Sequence, residues 1–192
     1  MKKNLSDYVK HYKSFLKNDL CKKTINELNK LDNSSWKEHR FYDSAKKKYI
    51  KRSEDQELST LLSKNILTKE ILMKELWNVI YDYIINLKFN WFNSWQGYSE
   101  IRFNKYTKNK KMAEHCDHLH DLFDGEIKGI PILSVLGILN DNYEGGEFIM
   151  FENEKIKLSK GDLLIFPSVF LYPHRVEPVK KGTRYSFISW VY

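Results

Sequence analysis

The second half of this chain is a succession of short segments rich in β-branched and aromatic residues. From Tyr98 onward they read YSEIRFNKY, KMAEHCDH, ILSVLGIL, GEFIMF, GDLLIFP, HRVEPV and TRYSFISWVY. Turn signals separate them, among them NDNYEGG at 140–146 and KG at 160–161 and 181–182. Short strands at this spacing are typical of an antiparallel sandwich or barrel. The pattern therefore predicts a β-core over residues 95–192.

The first half of the chain has the spacing of helices instead. Asn18 or Asp19 is placed to cap a helix that continues to Leu31. Thr68 precedes KEILMKELWNVIYDYIINL, which has the strongest helical pattern in the chain. We therefore expect two helices before the β-core.

Two segments between these helices have no helical pattern. WKEHRFYD at 36–43 reads as a short strand, and the lysine-rich segment 44–56 is expected to be an exposed loop. Because no internal repeat or linker interrupts the chain, the sequence predicts one α+β domain over residues 1–192. In this domain residues 1–94 supply helical support that packs on the sheet of the β-core over 95–192.

The charge of the chain could suggest a nucleic-acid partner, since the formal net charge is +7. The positive charge is nearly all lysine, however, whereas bidentate contacts to phosphates and bases usually come from arginine. The arginines are only Arg40, Arg52, Arg102, Arg175 and Arg184. Nucleic acid is therefore not the expected partner.

The cysteines and the start of the chain bear on its location. With only Cys21 and Cys116, a disulfide framework is not expected, and the cytoplasm (the host cytoplasm for a viral protein) is the expected compartment. The start, MKKNLSDYVKHYKSF, lacks the apolar run of a signal peptide. No apolar stretch is long enough to span a bilayer, so no membrane association is expected.

The segment AEHCDH contains a candidate pair of metal ligands. Residues two apart in a strand point to the same face, so His115 and Asp117 would project together and Cys116 away from them. A third ligand would complete a 2-His-1-carboxylate face, which suits non-haem Fe(II) and leaves coordination positions open. His174 is the candidate for that ligand.

The cation Arg184 follows His174 across the turn signal VKKG at 179–182. If these strands form a hairpin, the two side chains lie opposite or diagonal to each other. A buried cation beside a metal ligand requires an anion. 2-Oxoglutarate would meet both demands, because its 2-oxo acid end chelates iron and its far carboxylate pairs with a guanidinium. Ser186 shares the face of Arg184 and could donate a hydrogen bond to the same carboxylate.

Several motifs occur in the order found in a known family, namely IRFNKY, MAEHCDH, LNDNYEGGEF, KGDLLIFPS, PHRVEP and GTRYSFISW. In these motifs the chain resembles the 2-oxoglutarate/Fe(II) dioxygenases, in the prolyl 4-hydroxylase-like branch of bacterial and phage type. The family's core is a double-stranded β-helix of jelly-roll or cupin-like kind. The likeness covers residues 95–192 well and the N-terminal helices more loosely.

The resemblance implies an enzyme with Fe(II) as cofactor, 2-oxoglutarate as cosubstrate and ascorbate as a possible reductant. It implies that His115, Asp117 and His174 bind the metal and that Arg184 holds the cosubstrate. Tyr106 matches a tyrosine that precedes the H-x-D strand, and it joins Ser186 as a candidate for contacting 2-oxoglutarate.

Two further positions bear on the site. Trp190 matches an aromatic residue near the family's active site. Ile138 departs from the pattern, because some relatives carry a cosubstrate-binding tyrosine there. His118 and His120 are interpreted as surface-loop residues and not as ligands.

The resemblance implies hydroxylation of a prolyl residue in a peptide or protein. An oxygenase acting on a nucleic acid or a small molecule is an alternative, although no arginine follows Arg184 as it does in dealkylating relatives. A non-catalytic β-barrel binding module is another, and the intact set of ligand residues disfavours it. The loop 118–131 and the segment 44–56 are expected to govern substrate choice.

Overall fold

The structure is a computed structural model, and its helices lie in the first half of the chain. It describes residues 4–43, 45–52, 56–62, 65–89, 95–117 and 129–192. Within these ranges the α-helices are α1 (Asn18–Asn29) and α2 (Thr68–Leu87), and single 3-10 turns lie at Leu5–Tyr8 and Asn33–Ser35. No helix in the described ranges is long and apolar enough to cross a membrane.

Short strands make up most of the remaining regular structure. In chain order they are β1 (Lys10–Tyr12), β2 (Lys37–Glu38), β3 (Phe41–Asp43), β4 (Lys48–Ile50), β5 (Ser59–Leu61), β6 (Arg102–Tyr106), β7 (Met112–His115), β8 (Leu133–Ile138), β9 (Glu144–Gly145), β10 (Phe148–Met150), β11 (Glu154–Ile156), β12 (Leu163–Pro167), β13 (His174–Val176), β14 (Val179–Lys181) and β15 (Arg184–Val191).

Two sheets of these strands form the core. The large sheet has seven strands in the order β1-β12-β8-β15-β6-β5-β2, and the small sheet has four in the order β11-β10-β13-β7. All pairings within both sheets are antiparallel. Two-stranded ribbons, β3 with β4 and β9 with β14, complete the described sheets.

Both faces of the large sheet pack against apolar clusters, as the alternating side chains of β15 show. Phe187 and Val191 belong to the apolar cluster that contains the buried residues of α2, such as Leu76. Ile188 and Trp190 belong instead to a second cluster, which lies between the large and the small sheet. This arrangement follows from the two-residue period of a strand, which sends successive side chains to opposite faces.

The two helices are joined at their ends as well as packed on the sheet. Glu27 near the end of α1 accepts hydrogen bonds from the backbone amide and the hydroxyl of Thr68, each at 3.1 Å. A carboxylate at the first turn of α2 binds amides that have no partner within the helix and complements the helix dipole. The helix predicted after Thr68 is thus present, with its start tied to α1.

Three sequence-based expectations about the first half of the chain need correction. The residue that caps α1 is Lys17, not Asn18 or Asp19. The strand expected at 36–43 is two strands, β2 and β3, with a break between them. The segment 44–56 is not simply a loop, because β4 pairs with β3.

Residue 94 is also not a boundary between helices and strands. Three strands from before it, β1, β2 and β5, belong to the large sheet. β1 pairs with β12 and β5 with β6, so the N-terminal part of the chain extends both sides of that sheet.

Candidate metal centre and the cavities beside it

The structure brings together the three predicted metal ligands. His115 ends β7, Asp117 follows two residues later, and His174 begins β13, where it pairs with His115. One nitrogen from each histidine and one carboxylate oxygen all lie within 4.8 Å of one another. Asp117 Oδ1 is 3.4 Å from His115 Nε2 and 3.8 Å from His174 Nε2. Such a spacing can hold one ion between the three side chains.

Each histidine turns the same nitrogen toward that point. The Nδ1 atom of His115 lies 2.8 Å from the carbonyl oxygen of Ala113, and the Nδ1 atom of His174 lies 3.1 Å from that of Tyr172. A carbonyl can only accept, so each Nδ1 carries the hydrogen and each Nε2 keeps a free lone pair. Hydrogen bonds of this kind orient histidine ligands in metal sites.

Asp117 is buried, and a pair of hydrogen-bonded serines orients its carboxylate. Ser134 in β8 donates a hydrogen bond of 2.5 Å to Asp117 Oδ2, and its hydroxyl lies 2.8 Å from that of Ser168. Burial alone would raise the pKa of the Asp117 carboxyl, but His174, His115 and the bond from Ser134 together lower it well below its usual range. Asp117 is therefore ionised and available as an anionic ligand.

His174 is available in its neutral form. Its burial, reinforced by the neighbouring His115, lowers its pKa to about 4, against the opposing effect of Asp117. The rings of Phe148 and Phe166 lie 5.4 and 5.0 Å from its ring, centroid to centroid. Neutral imidazole is the form that binds a metal.

Cys116 is not part of the group. Its Sγ atom donates to the carbonyl oxygen of Phe170 at 3.3 Å, so the thiol points away from the ligand atoms as predicted. It is half-buried. Two imidazoles and one carboxylate are the donor set of non-haem Fe(II) sites, and the described residues fit that ion.

The relation between His174 and Arg184 differs from the predicted hairpin. His174 pairs with His115 and Met150 in the small sheet, whereas Arg184 pairs with Tyr106 in the large sheet. The residues between them form β14, which pairs with β9 and leaves both sheets. The prediction that 179–182 is the turn of one hairpin was thus wrong, because Val179–Lys181 form a strand and the chain bends after it, at Gly182 with a φ of +79°.

Arg184 is a buried cation that has no carboxylate partner among the described residues. It is 1% exposed, and no ion pair between described residues includes it. Its Nη1 atom donates to Ser186 Oγ at 2.9 Å, its guanidinium carbon lies 4.9 Å from the Tyr106 ring centroid, and its Nε atom has no partner. A buried charge with an unmatched donor is costly unless a ligand supplies the anion.

The backbone around Arg184 leaves room for its side chain. Gly146 has a φ of +65°, and a Cβ atom there would lie 3.0 Å from the Cδ atom of Arg184. Ile138 faces Ser186 across β8 and β15 and is fully buried. The position where some relatives have a tyrosine is therefore an apolar wall, which leaves Tyr106 and Ser186 beside the guanidinium.

A cavity of about 580 Å³ opens beside His115 and Asp117. Trp190 lines it, which agrees with the prediction for this residue. Residues from the β3–β4 ribbon, among them Phe41 and Tyr49, form another part of its wall. Residues 44, 53–55 and 118–128 lie outside the described residues, and with them the predictions for His118, His120 and much of the expected substrate loops.

Arg102 is a site residue that the sequence reasoning missed. It begins β6, shares the inner face of that strand with Asn104 and Tyr106, and lines the cavity beside Asp117. Its guanidinium carbon lies 5.0 Å from the Trp190 ring centroid. The alternation in RFNKY was the available signal, since it places Arg102 on the same face as the Tyr106 that was singled out.

Comparison of the sequence with known proteins identifies relatives of the C-terminal half. Residues 101–192 match the 2OG-Fe(II) oxygenase superfamily. A PKHD-type hydroxylase from Delftia acidovorans is 33% identical over 97 residues, which are 47% of this chain and 42% of that protein. The chain thus covers less than half the length of this curated relative.

Solved structures resemble nearly the whole chain. A viral collagen prolyl hydroxylase from Paramecium Bursaria Chlorella virus-1 is 15% identical with a TM-score of 0.66, over 98% of both chains. A prolyl hydroxylase from Trichoplax adhaerens is 18% identical with a TM-score of 0.72, over 97% of this chain and 84% of that one. This likeness confirms the predicted double-stranded β-helix fold.

The resemblance inferred from the sequence motifs is also confirmed by these comparisons. The superfamily match covers the segment that contains all three histidine and aspartate ligand candidates. Together, the match and this group of side chains support Fe(II) and 2-oxoglutarate as the cofactor and cosubstrate.

Proposed function

We propose that the protein is a 2-oxoglutarate- and Fe(II)-dependent dioxygenase that hydroxylates a C–H bond. The observation that carries the proposal is the buried Arg184, a cation with no carboxylate partner among the described residues, in the same β-core as the His–Asp–His group. A metal site alone would fit many proteins. A metal site combined with a buried, anion-seeking guanidinium fits a cosubstrate with a chelating end and a distal carboxylate.

His115, Asp117 and His174 would hold Fe(II) from one side and leave its other side open. When bound, iron and 2-oxoglutarate supply the oxidising power, with O₂ giving one oxygen atom to the substrate and one to succinate as CO₂ leaves. Ser134 keeps the Asp117 carboxylate in place through its hydrogen bond. Because this carboxylate is present, no coordination position is freed for a halide, which favours hydroxylation over halogenation.

Arg184 and Ser186 would bind the distal carboxylate and so orient the cosubstrate. The Nε atom of Arg184, which has no partner, is a donor that this carboxylate would satisfy. The inner walls are apolar, with Leu136, Ile138 and Ile188 all buried, and they exclude water from the reacting groups.

We further propose that the substrate is a prolyl residue in a peptide or protein. Names of relatives support this: the Chlorella virus protein is a collagen prolyl hydroxylase, and the Trichoplax protein was solved with a peptide fragment of hypoxia inducible factor. The cavity of about 580 Å³ beside His115 and Asp117 would receive the segment that carries this prolyl residue.

Succinate release is the direct test of this function. Purified protein would be supplied with Fe(II), ascorbate, O₂ and 2-oxoglutarate, with and without proline-containing peptides. We expect succinate to form slowly alone and faster with a peptide that becomes 16 mass units heavier, the mass of one oxygen atom that this reaction class adds. Absence of succinate from protein that binds iron would support the non-catalytic module instead.

A further inference from the structure

Arg102 lies at the mouth of the site, and Arg184 lies at its inner end. Arg184 pairs with Tyr106, and Ile188 pairs with Arg102 four residues further along the same two strands. At about 3.4 Å per residue, the two positions are about 14 Å apart along the strands. Both side chains face the space between the sheets, so the inner face of β6 and β15 presents two separate guanidinium groups.

Arg102 has hydrogen-bond donors that no described residue uses. Its Nε atom donates to Asn104 Oδ1 at 3.2 Å, and this is its one hydrogen bond to a described residue. No ion pair in the described part of the chain includes it. Its stacking on Trp190 leaves the edge of the guanidinium with the two Nη atoms free for a planar acceptor.

The acid that acts on Arg102, Asp117, is expected to bind the metal ion. Burial lowers the pKa of Arg102 and the charge of Asp117 raises it, so the two groups interact electrostatically across the mouth. Once Asp117 binds a divalent cation, its charge is balanced by that cation. Arg102 then borders the cavity as a half-buried cation with no counter-charge among the residues that the structure describes.

The other charged side chains described in the cavity wall also give it a positive charge. Lys37 and Arg40 line it, and Glu38, its acid besides Asp117, is paired with Lys51 at 2.7 Å. A wall whose described residues include several cations and no free acid attracts an anion. The free edge of the Arg102 guanidinium fits one carboxylate better than an extended row of phosphates.

We propose that Arg102 binds a carboxylate carried by the substrate beside the carbon to be hydroxylated, so that the substrate is an acidic peptide segment. This inference rests on the proposed dioxygenase function and specifies its substrate class. The carboxylate belongs to an aspartate or glutamate next to the target proline or to the C-terminus of the peptide.

The test compares two fluorescent peptide libraries of equal length with a fixed central proline. In one library the flanking positions are Asp or Glu, and in the other they are Asn or Gln. Binding is measured by fluorescence anisotropy with Zn²⁺ and 2-oxoglutarate present. We expect the acidic library to bind about tenfold or more tightly, since a hydrogen bond to a charged group contributes about 1.5–3 kcal/mol.

Variants separate a specific contact from general attraction. Arg102→Gln should remove the preference for acidic peptides, and Arg102→Lys should retain part of it. Arg40→Gln, which removes the same charge from an exposed part of the same wall, should leave most of it. Equal effects of Arg40→Gln and Arg102→Gln would overturn the assignment, and so would equal binding of the two libraries or binding of neither.

Two controls keep this inference separate from the proposed function. The visible charge-transfer band of an anaerobic Fe(II)–2-oxoglutarate complex should be unchanged in Arg102→Gln. If the native protein lacks the band, the dioxygenase proposal fails, while the peptide comparison still reports on Arg102. A single-stranded oligonucleotide that displaces the acidic peptides, and whose own binding Arg102→Gln abolishes, would overturn the proposal in favour of a phosphate ligand.

Discussion

Arg184 lies directly opposite Tyr106 in the pairing of β15 with β6, and its guanidinium carbon is 4.9 Å from the centre of the tyrosine ring. The tyrosine face and the Ser186 hydroxyl hold the guanidinium in one orientation, with Nε left over. A side chain fixed in this way is prepared for a ligand before the ligand arrives, which lowers the entropy lost on binding.

Arg184→Gln should therefore weaken the binding of 2-oxoglutarate by about tenfold to a hundredfold, because charge-assisted hydrogen bonds of about 1.5–3 kcal/mol are lost. Arg184→Lys should recover part of the affinity through its charge alone. The measurement is titration of the charge-transfer band with 2-oxoglutarate under anaerobic conditions. An unchanged titration curve would remove Arg184 from the cosubstrate site.

Asp117→Ala should abolish iron binding and turnover while the β-core stays folded. The two histidines alone lack the anionic ligand that completes the group. The matched control is Glu114→Gln, three residues earlier, whose side chain lies near Arg175 and outside the ligand group. Metal content after dialysis and the circular dichroism spectrum would be compared. Normal succinate formation by Asp117→Ala would show that the ligand assignment is wrong.

Ser134→Ala should lower iron affinity by about tenfold to a hundredfold, the usual effect of removing a group that orients a ligand. Ser168→Ala should have a smaller effect, because Ser168 contacts Ser134 and not the carboxylate. Competition with a metal-binding dye gives both affinities. If the two variants behave alike, the orienting role assigned to Ser134 is not supported.

The environment of Asp162 predicts that the folded state loses stability in acid. It accepts hydrogen bonds from the amides of Ser14 and Ser159 and lies 2.8 Å from His11 Nε2. Burial would raise its pKa, but these bonds together lower it. A carboxyl whose pKa is lower in the folded state stabilises the protein above the unfolded pKa of about 3.9, and this stability is lost as the pH falls through the folded value.

Asp162→Asn should therefore cost about 1.5–3 kcal/mol of unfolding free energy at neutral pH and less in acid. Asp32→Asn serves as the control, since Asp32 is exposed. Urea unfolding at neutral pH and in steps below about pH 4 measures both effects. A constant difference between Asp162→Asn and the native protein at every pH would contradict the role given to its charge.

The sequence predicted those features that repeat or cluster along the chain. Helix α2 was readable because its apolar residues recur over several turns, and His115 and Asp117 because they are two residues apart. Strands such as β1 and β2 are too short for a period to be visible, and only their pairing with distant strands defines them.

The errors have the same physical origin. His174 and Arg184 are ten positions apart in sequence, and a hairpin is the shortest connection between two strands, but β14 leaves for a third partner. The role of Arg102 depends on Trp190 and on the cavity wall from β3 and β4, which no local pattern contains. The path from His174 to Arg184 and the surroundings of Arg102 both depend on contacts between residues that are far apart in the sequence.

The metal ligands His115 and His174 belong to the small sheet, and Arg184 belongs to the large one. A cosubstrate held at both ends therefore spans the gap between two packed walls, and the width of that gap is fixed by the side chains of the whole core. The separation of the two sheets would then set the length of dicarboxylate that fits. We therefore expect 2-oxo diacids that are one carbon shorter or longer than 2-oxoglutarate to bind more weakly, with no additional residue needed for this selection.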